Sequence, residues 1–98
     1  MNRFENRIAR IKFWCFRNVP FYPLFISRGT RELADITWRM NLERSNGDPE
    51  SVESKLRFAF QNGAFEGDYK SMYICSLALS RHAGYRWRAR RAGRHDKP

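Results

Sequence analysis

Apolar side chains recur at helical spacing along most of this chain. In residues 2–17, Phe4, Ile8, Ile11 and Cys15 fall four, three and four positions apart, while Arg3, Arg7, Arg10 and Lys12 point largely elsewhere. That periodicity predicts an amphipathic helix with a basic outer face, its apolar sector widened by Phe13, Trp14 and Phe16. The helix cannot continue through Val19-Pro20-Phe21-Tyr22-Pro23-Leu24-Phe25, because each proline removes a donor and pushes the preceding residue toward extended geometry. An extended aromatic connector is the expectation there.

Thr30 caps a second predicted helix from Arg31 to about Ser45, with Leu33, Ile36 and Met40 on one side and Ala34, Trp38 and Leu42 nearby. Asn46-Gly47 ends it. Asp48-Pro49 is a strong start signal, since Asp accepts from free first-turn amides and Pro tolerates the first helical position. The third helix carries Val52, Leu56, Ala59 and Phe60 inward and stops at Asn62-Gly63. Gly67-Asp68 opens a fourth, whose run Met72 to Leu79 is apolar almost all round, as the most buried helix of a bundle should be. Gly84 ends it, or it runs on through Tyr85-Arg86-Trp87-Arg88-Ala89-Arg90-Arg91. No period-two alternation argues for a sheet. The expected fold is all-α: a small bundle of about four helices, with an extended Pro/aromatic connector. Residues 1–92 form one helical domain and 93–98 a disordered basic tail.

Length narrows this further. With 98 residues, 42% of them apolar, the chain can build one core and has little left for a deep catalytic cleft. Charge sharpens the picture more. The formal net charge of +9 is uneven: residues 1–17 set five basic groups against Glu5, residues 18–80 set seven against eight acids, and residues 81–98 set seven against Asp96. A near-neutral middle thus lies between two basic ends. Only Lys12, Lys55, Lys70 and Lys97 among the 19 basic residues are lysine. Arginine makes planar bidentate contacts and stacks on aromatics, so the bias suits a defined partner more than bulk solubility.

Candidate chemistry is sparse. Cys15 and Cys75 lie sixty residues apart and neither belongs to a C-x-x-C pair, which points to a reduced, cytoplasmic setting. The N-terminal apolar stretch is cut by Arg17, Pro20 and Pro23, so a signal peptide is not expected. Nor is a membrane span, because Val19 to Ile26 is far short of the roughly 20 residues needed. Cys15, Cys75, His82 and His95 include no pair at metal-ligand spacing. Ser80 and His82, two apart, fall on different sides of a helix and read as a polar pair near its end. Asp48, Glu50 and Glu53 sit in a first turn, where the macrodipole favours acids. Gly63-Ala64-Phe65-Glu66-Gly67 lacks the Lys-Ser/Thr of a phosphate loop. No cofactor and no enzymatic activity are expected.

Binding surfaces are better represented. Tyr85, Arg86, Trp87, Arg88, Arg90 and Arg91 interleave aromatics with arginines, which suits phosphate neutralisation with base stacking or an acidic protein surface. Failing a partner, the run is a solvated tail that aids solubility. Pro20, Phe21, Tyr22, Pro23 and Phe25 fit a groove on another protein if exposed, with X-Pro bonds open to a prolyl isomerase, and wrap the bundle if buried. The first helix has two readings, a membrane-surface helix or core packing, and core packing is preferred.

A short, arginine-rich, helical chain carrying Arg17-Asn18-Val19-Pro20-Phe21-Tyr22-Pro23-Leu24-Phe25 resembles the anti-RecBCD proteins of lambdoid temperate phages. These are small accessory recombination proteins that bind the host RecBCD helicase-nuclease. The resemblance is one of length, basicity and segment order over the whole chain. It implies a non-enzymatic protein of the host cytoplasm whose partner is a host complex, engaged through the RecC subunit. Its effect would be to change that enzyme's activity in favour of phage recombination.

Overall fold

The computed structural model of the chain describes residues 3–96, and among these all side chains but those of Pro23, Phe25 and residues 92–96. It contains α1 (Arg3–Asn18), a single 3₁₀ turn (Tyr22–Phe25), α2 (Arg28–Arg44), α3 (Pro49–Glu66) and α4 (Tyr69–Asp96). The all-α bundle expected from the periodicity is the fold found, with no strand among the described residues. Of the expected tail, residues 97 and 98 lie outside the described residues, while α4 runs on through 93–96.

α4 is the axis. At a rise of about 1.5 Å per residue its 28 residues reach about 42 Å, and they set the long dimension of a molecule measuring 54 × 29 × 20 Å. α1, α2 and α3 all pack along it, and α2 also packs on α3. Its apolar segment does what its composition predicts: Tyr73, Cys75 and Ala78 are buried, and one turn further so is His82. Ala78 is small enough to let neighbouring helices close in. Trp38, Val52, Leu56 and Ala78 form the core, with Leu42, Leu79 and Tyr85 packed against it.

His82, 1% exposed, ties three helices together. The indole Nε1–H of Trp38 on α2 donates to its Nδ1 at 3.0 Å, and its Nε2 lies 2.8 Å from the carbonyl oxygen of Pro49 on α3. An indole only donates and a carbonyl only accepts, so His82 is the neutral Nε2–H tautomer with both nitrogens satisfied. It is therefore a core residue and not part of a polar pair with Ser80, which is exposed.

The helix ends depart from expectation in three places, each for a local reason. α2 begins earlier, because Ser27 rather than Thr30 is its cap: Ser27 Oγ accepts from the Thr30 amide at 3.3 Å and pairs with Thr30 Oγ1 at 2.7 Å. α3 continues past Asn62-Gly63 and closes on Gly67, whose φ of +72° is the left-handed cap conformation. Gly63 serves packing instead, since a Cβ there would stand 3.3 Å from both the Asp68 carbonyl oxygen and Met72 Cγ. The connector is not extended: Tyr22 N donates to Val19 O and Leu24 N to Phe21 O, each at 3.2 Å. Neither donor is a proline, and Pro23 sits in the first turn, where its fixed φ suits the 3₁₀ form. Asp48 and Pro49 start α3 as predicted. α4 passes straight through Gly84.

The larger correction concerns which faces are buried. On α1 the inward residues are Ala9 and Phe13, with Asn6 and Phe16 beside them, while Phe4 (66% exposed), Ile8 and Ile11 (63%) face outward. Asn6 bridges the α3–α4 turn, donating to Gly67 O at 3.0 Å and accepting from the Tyr69 amide at 2.9 Å. Phe13 packs on Phe60, and Phe16 edge-on to Tyr73. On α2, Ala34 and Trp38 are buried, and Leu33, Ile36 and Met40 are exposed.

Replacing Trp38 by Phe keeps most of the ring but leaves Nδ1 of a buried histidine without a donor. Urea unfolding should show a loss of about 1–3 kcal/mol, and His82→Ala, which also opens a cavity, a loss of about 2–4 kcal/mol. If the two changes are strictly additive in a double-mutant cycle, the bond contributes nothing to stability.

Candidate partner-binding surfaces

The C-terminal Arg/aromatic run divides between structure and surface. Tyr85 packs edge-on to Trp38 at 5.2 Å and stacks on His82. Arg86 pairs with Glu53 at 2.7 Å. Both are thereby committed to the bundle. Trp87, Arg88, Arg90 and Arg91 are exposed, with the Arg91 guanidinium 4.9 Å over the Trp87 ring. These residues lie on the turns of α4 that follow His82, the residue that faces Pro49 at the start of α3. Trp87 and Arg90 also border a shallow groove of about 300 Å³ with Leu79, Ala83 and Arg86.

The connector is split as well. Pro20, Phe21 and Leu24 are exposed, and Tyr22 is half-buried, its hydroxyl accepting from Tyr73 Oη at 3.4 Å. The side chains of Pro23 and Phe25 lie outside the described residues. Burial, followed by the Tyr22 hydrogen bond, pushes the Tyr73 phenol above its ordinary range, so this contact is a neutral, structural one.

A third surface was hidden in the periodicity. Phe4 and Ile8 of the α1 stripe and Leu33 of the α2 stripe line a groove over α4 of about 380 Å³, together with Tyr73, Ile74 and the charged Glu5, Lys12 and Lys70. A second groove of about 500 Å³ shares Leu33, Lys70 and Ile74 and continues between α2 and α3 past Thr37 and Ala59. The spacing of Phe4/Ile8/Ile11 and Leu33/Ile36/Met40 thus marks an outer surface, not the core-packing face expected from it.

Two carboxylates on the middle of the molecule each engage two arginines. Asp35 takes Arg39 at 3.0 Å and Arg81 at 3.2 Å, and Glu53 takes Arg57 at 2.8 Å as well as Arg86. Arg81 also covers the Trp38 ring at 4.9 Å. Among the described residues, no three His, Cys, Asp or Glu side chains converge as a metal site. Within the same residues no helix is long and apolar enough to cross a membrane.

No protein-family model, curated protein or solved structure matches the chain. Fold and surfaces define it as a small all-α bundle with outward-facing apolar and Arg/aromatic patches.

The cysteines supply a check on the packing. Cys75 is buried, and burial, then the nearby Asp68 carboxylate, pushes its thiol above the ordinary range, whereas Cys15 is half-buried on α1. In the native protein near neutral pH, iodoacetamide should alkylate Cys15 well before Cys75, and the two should react alike once the chain is unfolded. Alkylation of Cys75 should accelerate as the pH is raised. Equal native rates would contradict the burial of α4.

Proposed function

We propose that this is a non-enzymatic docking protein that binds a host DNA-processing enzyme and alters its activity. The RecBCD helicase-nuclease, engaged through RecC in the host cytoplasm, is the partner that the resemblance names. One observation carries the reading: the apolar stripes of α1 and α2 are outside, and Phe4, Ile8 and Leu33 of those stripes line one groove. A chain this short needs its apolar area for the core, and contiguous apolar surface with a charged edge marks a protein-contact site. The exposed Pro20-Phe21 segment supplies a second point of contact beside it, open to an accessory partner such as a prolyl isomerase.

The test uses purified RecBCD and the intact chain. Wild type should be retained on immobilised enzyme at moderate salt and should change its nuclease or helicase rate. Phe4→Asp with Leu33→Asp should lose retention by tenfold or more, and thermal unfolding of the variant separates loss of binding from loss of fold, since Phe4 is 66% and Leu33 48% exposed. Wild type that fails to associate removes RecBCD as the partner, and undiminished binding by the double variant removes the groove.

A second reading is supported by Trp87, Arg88, Arg90 and Arg91, which are exposed and sit in none of the ion pairs among the described residues. Direct nucleic-acid binding through this helix end predicts steeply salt-dependent affinity. Changing Arg88, Arg90 and Arg91 to Ala should flatten that dependence in a filter-binding series.

A further inference from the structure

α1 carries a second exposed stripe. Arg3, Arg7, Arg10, Trp14 and Arg17 follow one another at spacings of four, three, four and three, the register that keeps side chains on one face of a helix. All five are exposed, Trp14 at 61%. The stripe lies between the buried face of Ala9 and Phe13 and the apolar stripe of Phe4, Ile8 and Ile11, and it runs about 21 Å along the helix. Four arginines crowded on one face repel one another and call for counter-charge, yet among the described residues none is in an ion pair. Two are instead held in place by aromatic rings: Arg10 lies 5.5 Å over Tyr69 and Arg17 5.6 Å over Phe13. Such a cation–π contact holds the guanidinium against the ring while leaving N–H groups free to donate. Arg10, Trp14, Arg17, Phe13 and Tyr69 together line a concavity of about 380 Å³.

We infer that this stripe is a binding site for single-stranded nucleic acid, with phosphates on Arg7, Arg10 and Arg17 and a base stacked on Trp14. The arrangement is that of a stacking platform set in a positive track: cations spaced along a line and an exposed indole between them. In a duplex the base faces are occupied by one another, so the exposed indole selects the single strand. A lipid surface would engage Trp14 together with Phe4, Ile8 and Ile11. Trp14, however, stands in the arginine register, between the two ring-held guanidiniums, and Phe4 and Ile8 line the groove over α4. The site goes beyond the docking groove and lies on a different helix from the Trp87 surface, so each can fail without the other.

The measurement is binding of fluorescein-labelled oligo-dT and of a duplex of equal length to the intact protein across a salt series. Wild type should prefer the single strand. Trp14→Ala should weaken binding roughly tenfold and Trp14→Phe should restore most of it. Arg10→Ala with Arg17→Ala should reduce the slope of log K against log salt by about 0.7 for each phosphate left without its arginine. Arg7→Ala, which removes a side chain with no aromatic seat, reads the same slope without disturbing Tyr69 or Phe13. Thermal unfolding of each variant separates loss of binding from loss of fold. Equal affinity for duplex, binding abolished only when Arg88, Arg90 and Arg91 are removed, or capture by anionic vesicles with no binding of oligo-dT would each overturn the assignment.

Discussion

The hydrogen-bonded relay from Trp38 through His82 to the Pro49 carbonyl decides how this bundle is arranged. It joins α2, α4 and the first turn of α3 through one neutral imidazole, and it can form only if Trp38 points inward. With Trp38 and Ala34 inward, positions 33, 36 and 40 turn outward by helical geometry alone. The exposure of Leu33, Ile36 and Met40 is therefore a consequence of the core rather than a defect in it. The same indole is flanked by Tyr85 on one side and capped by Arg81, which Asp35 holds in place. A single aromatic side chain thus sets the face of α2, the register of α4 and the fate of one arginine.

Much of the architecture is legible in the residues alone, because it rests on local chemistry. Asp48-Pro49 announces α3, and the unbroken apolar run from Met72 to Leu79 identifies the helix that all others must touch. What periodicity could not supply is the choice between two apolar faces on one helix. Counting apolar positions favours Phe4/Ile8/Ile11 and Leu33/Ile36/Met40, but burial follows closeness of approach, ring area and a partner for every polar tip. Ala9 and Ala34 bring backbones together, while Asn6 and Trp38 end in groups that find partners inside. His82 was within reach of the sequence, since Ala78, His82 and Tyr85 continue the core register of α4 at spacings of four and three. Gly63 and Gly67 illustrate a second limit: one glycine permits contact and the other permits a positive φ, and spacing does not tell them apart.

The distribution of arginine follows from where the carboxylates are. Asp35 and Glu53 each engage two arginines, and exposed pairs of this kind add only about 0–1 kcal/mol apiece. Their effect on the surface potential is larger than their effect on stability. They neutralise the waist of a molecule 54 Å long and leave the positive charge on α1 and on the far end of α4. Ring-stacked arginines, Arg10 on Tyr69, Arg17 on Phe13 and Arg91 on Trp87, then dominate both ends.

α1 concentrates the consequences. It is held to the bundle by Asn6, Ala9, Phe13 and Phe16, which occupy one sector of its circumference and leave the remainder open. Two different surfaces share that remainder, an apolar stripe that borders the groove toward α2 and an arginine stripe on the side of Tyr69. Because they face different directions, covering one leaves the other open. Both stripes follow from one packing choice: with Ala9 and Phe13 turned inward, helical geometry alone brings Phe4, Ile8 and Ile11 to one exposed side and Arg3, Arg7, Arg10, Trp14 and Arg17 to another.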